Sequence, residues 1–266
     1  MINSKILLFV PVYNCENQII RVLEKIKNTG LDRLVATILV LDNGSSDLTC
    51  QTVQNYISKS ESRNVVLARN SRNIGLGGSH KAAFQYAIAN GYDYIAVLHG
   101  DDQGDPADLV SLIHSGIDYG VDCYLGSRFS GGSTLIGYSK FRTYGNYIFN
   151  YLFSLASKHR VYDLGSGLNL YKVKSLNLSE IKLFSNDLTF NCFLLLYSIK
   201  IGQNLRFFPI SWSETDQVSN VKLYSQALKT LGLVLRYRFF SRKALVDEHA
   251  AETFMESSII FDKDII

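Results

Sequence analysis

The stretch His99-Gly100-Asp101-Asp102-Gln103-Gly104-Asp105-Pro106 places one histidine and three carboxylates within seven residues, directly after the apolar run Tyr94–Leu98. Adjacent aspartates repel unless a cation lies beside them. A hard divalent cation bridging a diphosphate is the natural partner for Asp101 and Asp102, because such ions take oxygen ligands from carboxylates and phosphates together. Asp105 before Pro106 also reads as a helix N-cap, which accounts for Asp105 alone. A second polar cluster is Leu41-Asp42-Asn43-Gly44-Ser45-Ser46-Asp47. Asp42 comes straight off an apolar run, where a carboxylate can accept from a base N–H or a ribose hydroxyl. Gly44 allows a tight turn, and Ser45, Ser46 or Asp47 can cap the helix that follows. A third cluster, Arg69 to Gly78, contains Asn73, Gly75, Gly77 and Gly78, with Arg69, Arg72 and Lys81 adding positive charge. A glycine-rich turn opening a helix can cradle phosphate; the alternative is a purely structural turn. It is not the dinucleotide fingerprint, which belongs after the first strand, and position 80 is histidine.

These clusters need a scaffold that gathers them. Lys5–Val10, Val35–Leu41, Asn64–Ala68, Tyr94–Leu98 and Asp122–Gly126 are short, continuous apolar runs, the pattern of strands buried on both faces. Between them Glu16–Asn28, Asp47–Lys59, Gly78–Asn90 and Pro106–Asp118 carry apolar residues at spacings of three and four, which predicts helices. Strand–helix alternation predicts an α/β fold with a doubly wound, mostly parallel sheet. Ligands in such sheets lie beyond the carboxyl ends of the strands, where the polar clusters fall. After Gly126 the regularity fails: Ser130–Gly137 reads as a loop, followed by a helix from about Arg142 to Ser157. A strand near Gly167–Tyr171, a helix near Asp187–Lys200 and a strand near Leu205–Ile210 come next.

The 266 residues suit one large domain or two small ones; 47% hydrophobic and 19% charged residues exclude intrinsic disorder. A net charge of +3, from 27 basic and 24 acidic residues, does not point to nucleic acid. Four scattered cysteines without a C-x-x-C pair suggest neither a zinc site nor a disulfide scaffold, and a reducing cytoplasm is the simplest compartment. The first apolar run is too short for a signal peptide, and no run of about 18 apolar residues predicts a transmembrane helix.

Taken in order and at their spacing, Pro11-Val12-Tyr13-Asn14, Asp42 to Asp47, Asn73-x-Gly75-x-Gly77 and His99-Gly100-Asp101-Asp102-Gln103 resemble an inverting family 2 glycosyltransferase. The fold this implies is GT-A, a Rossmann-like nucleotide-sugar-binding sheet. The dolichyl- and polyprenyl-phosphate hexose synthases are the most similar branch, over about residues 5–215. The resemblance implies that Pro11, Tyr13, Asn14, Asp42, Gly44, Ser45, Asn73, Gly75, Gly77, Lys81 and Gly100 bind the nucleotide-sugar. Asp101, with His99 in the place of the family's first aspartate, would hold Mg²⁺ or Mn²⁺ on the diphosphate. Asp101, Asp102 and Gln103 then serve catalysis, with Gln103 near the donor sugar. In the same branch an arginine and a later R-x-x-x-S motif hold the phosphate of the lipid acceptor; their counterparts are Arg128 and Arg142-x-x-x-Asn146. Ser166 belongs to a Ser-Gly element near the acceptor side. Trp212, Glu214 and Asp216 begin a segment similar to a mobile loop that closes over donor and acceptor.

The resemblance thus implies metal-dependent, inverting hexosyl transfer from a nucleotide-sugar to a polyprenyl phosphate. A UDP-sugar is favoured on family frequency, with a GDP-sugar the alternative. The second version transfers to a saccharide hydroxyl in glycan synthesis, and needs a base; Asp187, Glu214 and Asp216 are the candidates. Asp187 also reads as an N-cap. A non-catalytic nucleotide-sugar-binding module is the reading from another class. Residues 1–221 form the catalytic domain and residues 222–266 a basic amphipathic helix with an acidic tail. Lys222–Lys243 holds six cations and no acid among its apolar residues, which suits either packing on the domain or peripheral contact with an anionic membrane at its cytoplasmic face.

Overall fold

Every side chain of β1 (Ile6–Val12) is buried, and alternate positions enter two different cores. Leu7 and Phe9 join Phe84, Phe190 and Leu194; Ile6, Leu8, Val10 and Val12 join Ile19, Leu23 and Leu109. This is the period-two geometry of a strand covered on both faces. The structure, a computed structural model, describes residues 4–60, 64–215, 223–239, 246–247 and 259–261.

The chain continues through α1 (Ile19–Asn28), β2 (Thr37–Asp42), α2 (Thr49–Lys59), β3 (Val65–Asn70), α3 (Gly75–Ala89), β4 (Tyr94–Leu98) and α4 (Pro106–His114). Then come β5 (Cys123–Ser127), β6 (Thr134–Ile136), α5 (Lys140–Ser157), β7 (Leu168–Lys172), α6 (Leu178–Ile181) and α7 (Phe190–Lys200). β8 (Leu205–Pro209), β9 (Ser211–Ser213), α8 (Leu223–Phe239) and β10 (Ile259–Phe261) complete it. The main sheet has the order β10-β3-β2-β1-β4-β7-β5-β8. β1 is parallel to β2 and β4, and β2 to β3. β7 runs antiparallel between β4 and β5. The first core lies under α3 and α7, the second under α1, α2 and α4. The doubly wound, mostly parallel GT-A sheet expected from the sequence is the observed architecture.

The reversed β7 matters for the site. Its first residue pairs with the last of β4, Leu168 with Leu98, and Ser127 at the end of β5 pairs with Pro209 of β8. The loops before β7 and after β8 therefore join the ends of β1, β2, β3 and β4 at one edge. The stretch Ser130–Gly137, read as a loop, contains β6, which pairs in parallel with β9. So short and half-exposed a ribbon carries no apolar period to announce it. α3 starts at Gly75, three residues earlier than its apolar period predicts, so the glycine-rich turn is already helical.

Candidate active site

The end of β1 is stitched to both neighbours. Pro11 O accepts from the Gly100 N–H (3.0 Å) and Val12 O from the Asn43 N–H (2.9 Å). Beyond it Tyr13 is 44% exposed at the strand-end face. Asn14, in the left-handed region at φ 52°, locks onto the β2 turn. Its N–H donates to Ser45 Oγ (2.9 Å) and its Oδ1 accepts from the Ser46 N–H (2.9 Å). Asp42 is fully buried. Its carboxylate accepts from the Ser45 N–H and hydroxyl and from the Cys50 thiol, and Arg69 Nε lies 3.2 Å away. Asp42 thus shapes the turn from below.

The glycine-rich turn faces inward. Asn43 donates to Asn73 Oδ1 (2.9 Å) and accepts from Asn70 Nδ2 and the Ile74 N–H, both at 3.0 Å, which ties β2 to the start of α3. Gly44 lies against the Arg72–Asn73 backbone, where a Cβ would come within 2.9 Å. A Cβ on Gly75 would come within 2.2 Å of Asn186 O, and one on Gly77 within 2.4 Å of Ser185 O. Lys81 is fully buried. Its ammonium donates to Lys182 O, Phe184 O and Asn186 Oδ1, and burial lowers its pKa to about 8. The sequence reading put Gly75, Gly77 and Lys81 on the donor; the structure turns all three toward residues 182–186, because the close approach of that loop needs bare backbone and a central cation.

The β4 loop separates the two aspartates. Asp101 accepts from the Gln103 N–H (3.2 Å) and from its own backbone N–H, and from no side chain among the described residues. Burial, then the nearby charges of Asp102 and Glu214, raise its pKa to about 6 against the lowering effect of backbone hydrogen bonds. Asp102, at φ 63°, swings to α1, where Arg21 Nε and Lys25 Nζ meet its oxygens at 2.7 and 2.6 Å. The cation that the paired charges demand is, for Asp102, supplied by these two side chains. Sequence reasoning missed them, although basic residues at i and i+4 on an amphipathic helix were the available signal. His99 packs against Gly167, and its Nε2 is buried with no hydrogen-bond partner among the described residues. Burial, then the charge of Arg128, lower its pKa to about 4, so the ring is neutral near pH 7. Its neighbour His80, 6.0 Å away between ring centroids, is also held neutral.

Among the described residues no three His, Cys, Asp or Glu side chains are grouped to hold a metal. A single desolvated carboxylate, ringed by acidic charge and without a side-chain partner, nevertheless fits an Mg²⁺ or Mn²⁺ that takes most of its ligands from a diphosphate and water.

Three of the residues expected on the acceptor side, Arg128, Arg142 and Asn146, converge on Tyr138, which the sequence did not single out. Arg128 makes a buried, two-pronged ion pair with Asp163 (both contacts 2.8 Å), and Trp212, Phe129 and Tyr138 surround its guanidinium. Arg142 lies 4.5 Å above the Tyr138 ring, and its Nη1 donates to both oxygens of Glu214. Its Nε and Nη2 make no hydrogen bond with the described residues. Asn146 Nδ2 donates to the Tyr138 hydroxyl (3.0 Å), whose own proton has no acceptor among them. The Gln103 amide approaches Glu214 at 3.4 Å, joining this group to the Asp101 loop.

The remaining expected residues lie elsewhere. Ser166 is buried, its hydroxyl turned to Leu168 O. Trp212 is buried in β9 and Glu214 is tied through its N–H to Ile136 O, so this part of the expected mobile loop is an ordered ribbon. Asp216 lies outside the described residues. Asp187 accepts from the Thr189 N–H and hydroxyl and pairs with Lys229 of α8 (2.7 Å). Burial would raise its pKa, but these bonds outweigh it and hold the carboxyl below its ordinary value.

The family described as Glycosyl transferase family 2 matches residues 8–178. Polyprenol monophosphomannose synthase of Mycolicibacterium smegmatis is 24% identical over 216 residues, 80% of this chain and 79% of that protein. UDP-N-acetylglucosamine–dolichyl-phosphate N-acetylglucosaminyltransferase of Methanococcus voltae is 23% identical over 256 residues, 91% and 98% of the two chains. An uncharacterized protein of Methanocaldococcus jannaschii is 32% identical over 120 residues, 45% of this chain, so the match spans only half (50%) of that relative's length. Glucosyl-3-phosphoglycerate synthase of Mycobacterium tuberculosis, solved with Mn²⁺, UDP and phosphoglyceric acid, superimposes with a TM-score of 0.63 at 16% identity. The superposition covers 89% of this chain and 78% of that one; at that identity the likeness is one of fold.

Proposed function

This chain belongs to glycosyl transferase family 2, and on that premise we propose that it moves a hexose from a nucleoside diphosphate sugar to a polyprenyl-type lipid phosphate, with inversion. The observation that carries the acceptor is the group around Tyr138: the free Nε–Nη2 edge of Arg142 and the unclaimed Tyr138 proton offer a forked donor set suited to phosphate oxygens. The names of the mycobacterial and archaeal relatives, both lipid-phosphate sugar transferases, support the same class.

In this reading Pro11, Tyr13 and Asn14, with the turn from Asp42 to Ser45, receive the nucleoside. Asp101 is the carboxylate for Mg²⁺ or Mn²⁺, with the neutral His99 behind it. The bound ion would neutralise charge developing on the leaving diphosphate. Gln103 orients the donor sugar beside Glu214, and Arg142 and Tyr138 hold the acceptor phosphate; Arg128, expected there from the sequence, is instead committed to Asp163 behind Tyr138. A phosphate oxygen attacks the anomeric carbon from the face opposite the diphosphate, one C–O bond forming as the other breaks. That oxygen is anionic near neutral pH, so no base is needed. The two described carboxylates considered as bases are engaged, Asp187 by Lys229 and Thr189, Glu214 by Arg142. This favours a phosphate acceptor over a saccharide hydroxyl.

The test is nucleoside diphosphate release from UDP-, GDP- and dTDP-sugars with Mg²⁺ or Mn²⁺, with and without a short polyprenyl phosphate. The expected result is release stimulated by the lipid phosphate, abolished by EDTA and strongly reduced in Arg142→Ala. Metal-dependent release indifferent to the lipid, but stimulated by a saccharide, would overturn the acceptor assignment.

A further inference from the structure

Beyond α8, the described parts of the chain return to the turn between β3 and α3 from both sides. On one side the Asp247 N–H donates to Leu183 O (2.6 Å), in the loop that packs on Gly75 and Gly77. Burial lowers the Lys81 pKa and the charge of Asp247 opposes that lowering, so Asp247 steadies the cation that gathers this loop. On the other side β10 lies antiparallel to β3, with Ile259 opposite Asn70, Ile260 opposite Arg69 and Phe261 opposite Ala68. Without β10, β3 would be the edge of the sheet, and Ala68–Asn70 would be paired with β2 alone. Backbone at an unpaired edge opens more readily than backbone paired on both sides. Two of these three residues hold the turn from Asp42 to Ser45. Arg69 Nε lies 3.2 Å from the Asp42 carboxylate, and its Nη2 donates to Ser45 O (2.9 Å). Asn70 Nδ2 donates to Asn43 Oδ1 (3.0 Å) and to Ser79 Oγ (3.1 Å).

We infer that β10 is a clasp: by closing the end of β3 it positions Arg69 and Asn70, and through them the turn that receives the nucleoside. Docking of β10 and binding of a nucleoside diphosphate are then positively coupled, because both favour the same closed end of β3, and the coupling acts equally in each direction. A strand that merely covered the sheet edge would add stability and leave nucleotide affinity alone. The inference rests on the donor reading above for its ligand, and on the β10–β3 register for its mechanism.

The test is calorimetric titration of the full chain with UDP, GDP and dTDP in the presence of Mn²⁺, for the wild type and for Ile259→Pro/Ile260→Pro. Ladder hydrogen bonds fall on alternate residues of an antiparallel strand, so adjacent prolines remove the donor whichever residue supplies it. The expected result is a Kd raised about five- to tenfold for the nucleotide that binds. Its stoichiometry should be unchanged, which shows that the variant is folded. Ile259→Val/Ile260→Val, which keeps the ladder, should bind as the wild type does. A second measurement needs no variant: saturating nucleotide with Mn²⁺ should slow amide hydrogen exchange at residues 259–261 of the wild type. An unchanged Kd in the proline variant, or exchange at 259–261 indifferent to nucleotide, would overturn the clasp and leave the donor reading standing. No binding of any of the three nucleotides to the wild type would overturn the donor reading itself, and the coupling with it.

Discussion

Asp101 and Asp102 share a peptide bond and meet opposite surroundings. Asp101 sits desolvated with backbone donors alone, while Asp102 is held between Arg21 and Lys25. The two conservative amides should therefore behave differently. Asp101→Asn is expected to lower lipid-stimulated turnover about 100-fold or more, as the loss of a charge that serves the leaving group does. Asp102→Asn is expected to keep turnover within about threefold, while costing about 1 kcal/mol in denaturant unfolding, a modest figure because its partners are half-exposed. Equal losses of turnover in both variants would refute this division. His80 makes a second residue-level prediction. Burial, then the neighbouring His99, lower its pKa to about 3, against about 6.5 in an unfolded chain. Between those values the unfolded state carries the extra proton, so stability falls as pH falls. From pH 7.5 to about pH 5 this one ring should remove about 2 kcal/mol. The slope of unfolding free energy against pH should flatten in His80→Leu, whatever the variant's absolute stability.

At the scale of elements, the start of α3 and the 182–186 loop are a single packed unit. Gly75 and Gly77 let the loop approach, and the Lys81 ammonium gathers its carbonyls. Gly77→Ala should destabilise the fold by about 1–3 kcal/mol, because its Cβ would meet backbone and a Phe190 ring that cannot swing clear. Its effect on the KM for the donor should be small; a large rise in that KM with unchanged stability would restore a phosphate-binding role to the turn. The glycines were legible as a special turn, but not their direction, since a motif fixes spacing and leaves open which loop, more than a hundred residues on, fills the space beside it. The buried strands, the helices between them and the strand-end clusters were legible because apolar period and turn chemistry are local properties. The reversed β7, the β6–β9 ribbon and the Arg21–Asp102–Lys25 pairing were not, because each is fixed by partners distant in sequence. Tyr138 was invisible for the same reason: nothing in its neighbourhood marks it, and only folding sets it between Arg128, Arg142 and Asn146.

Across the whole molecule, the sheet brings the ends of β1, β2, β4 and β5 and the start of β7 to one edge, so the groups proposed for donor, cation and acceptor share one floor. The loops on that floor carry like charge close together: burial, and then the charges of Asp102 and Glu214, raise the pKa of Asp101. A nucleoside diphosphate alone adds negative charge beside these carboxylates, and a divalent cation alone finds Asp101, which has no side-chain partner among the described residues. Each should bind weakly by itself, and the two together should bind with positive coupling. Ligand bound only to the folded state stabilises by mass action, about 2.7 kcal/mol at a hundred times its Kd. For a domain of this size that corresponds to a rise of about 5–10 °C or less in Tm. Thermal unfolding with UDP, with Mn²⁺ and with both should therefore show a combined shift larger than the sum of the separate ones. Asp101→Asn should lose the excess and keep the smaller shift due to the nucleotide. Strictly additive shifts in the wild type would mean that cation and diphosphate do not meet at Asp101, and would remove the metal from the β4 loop.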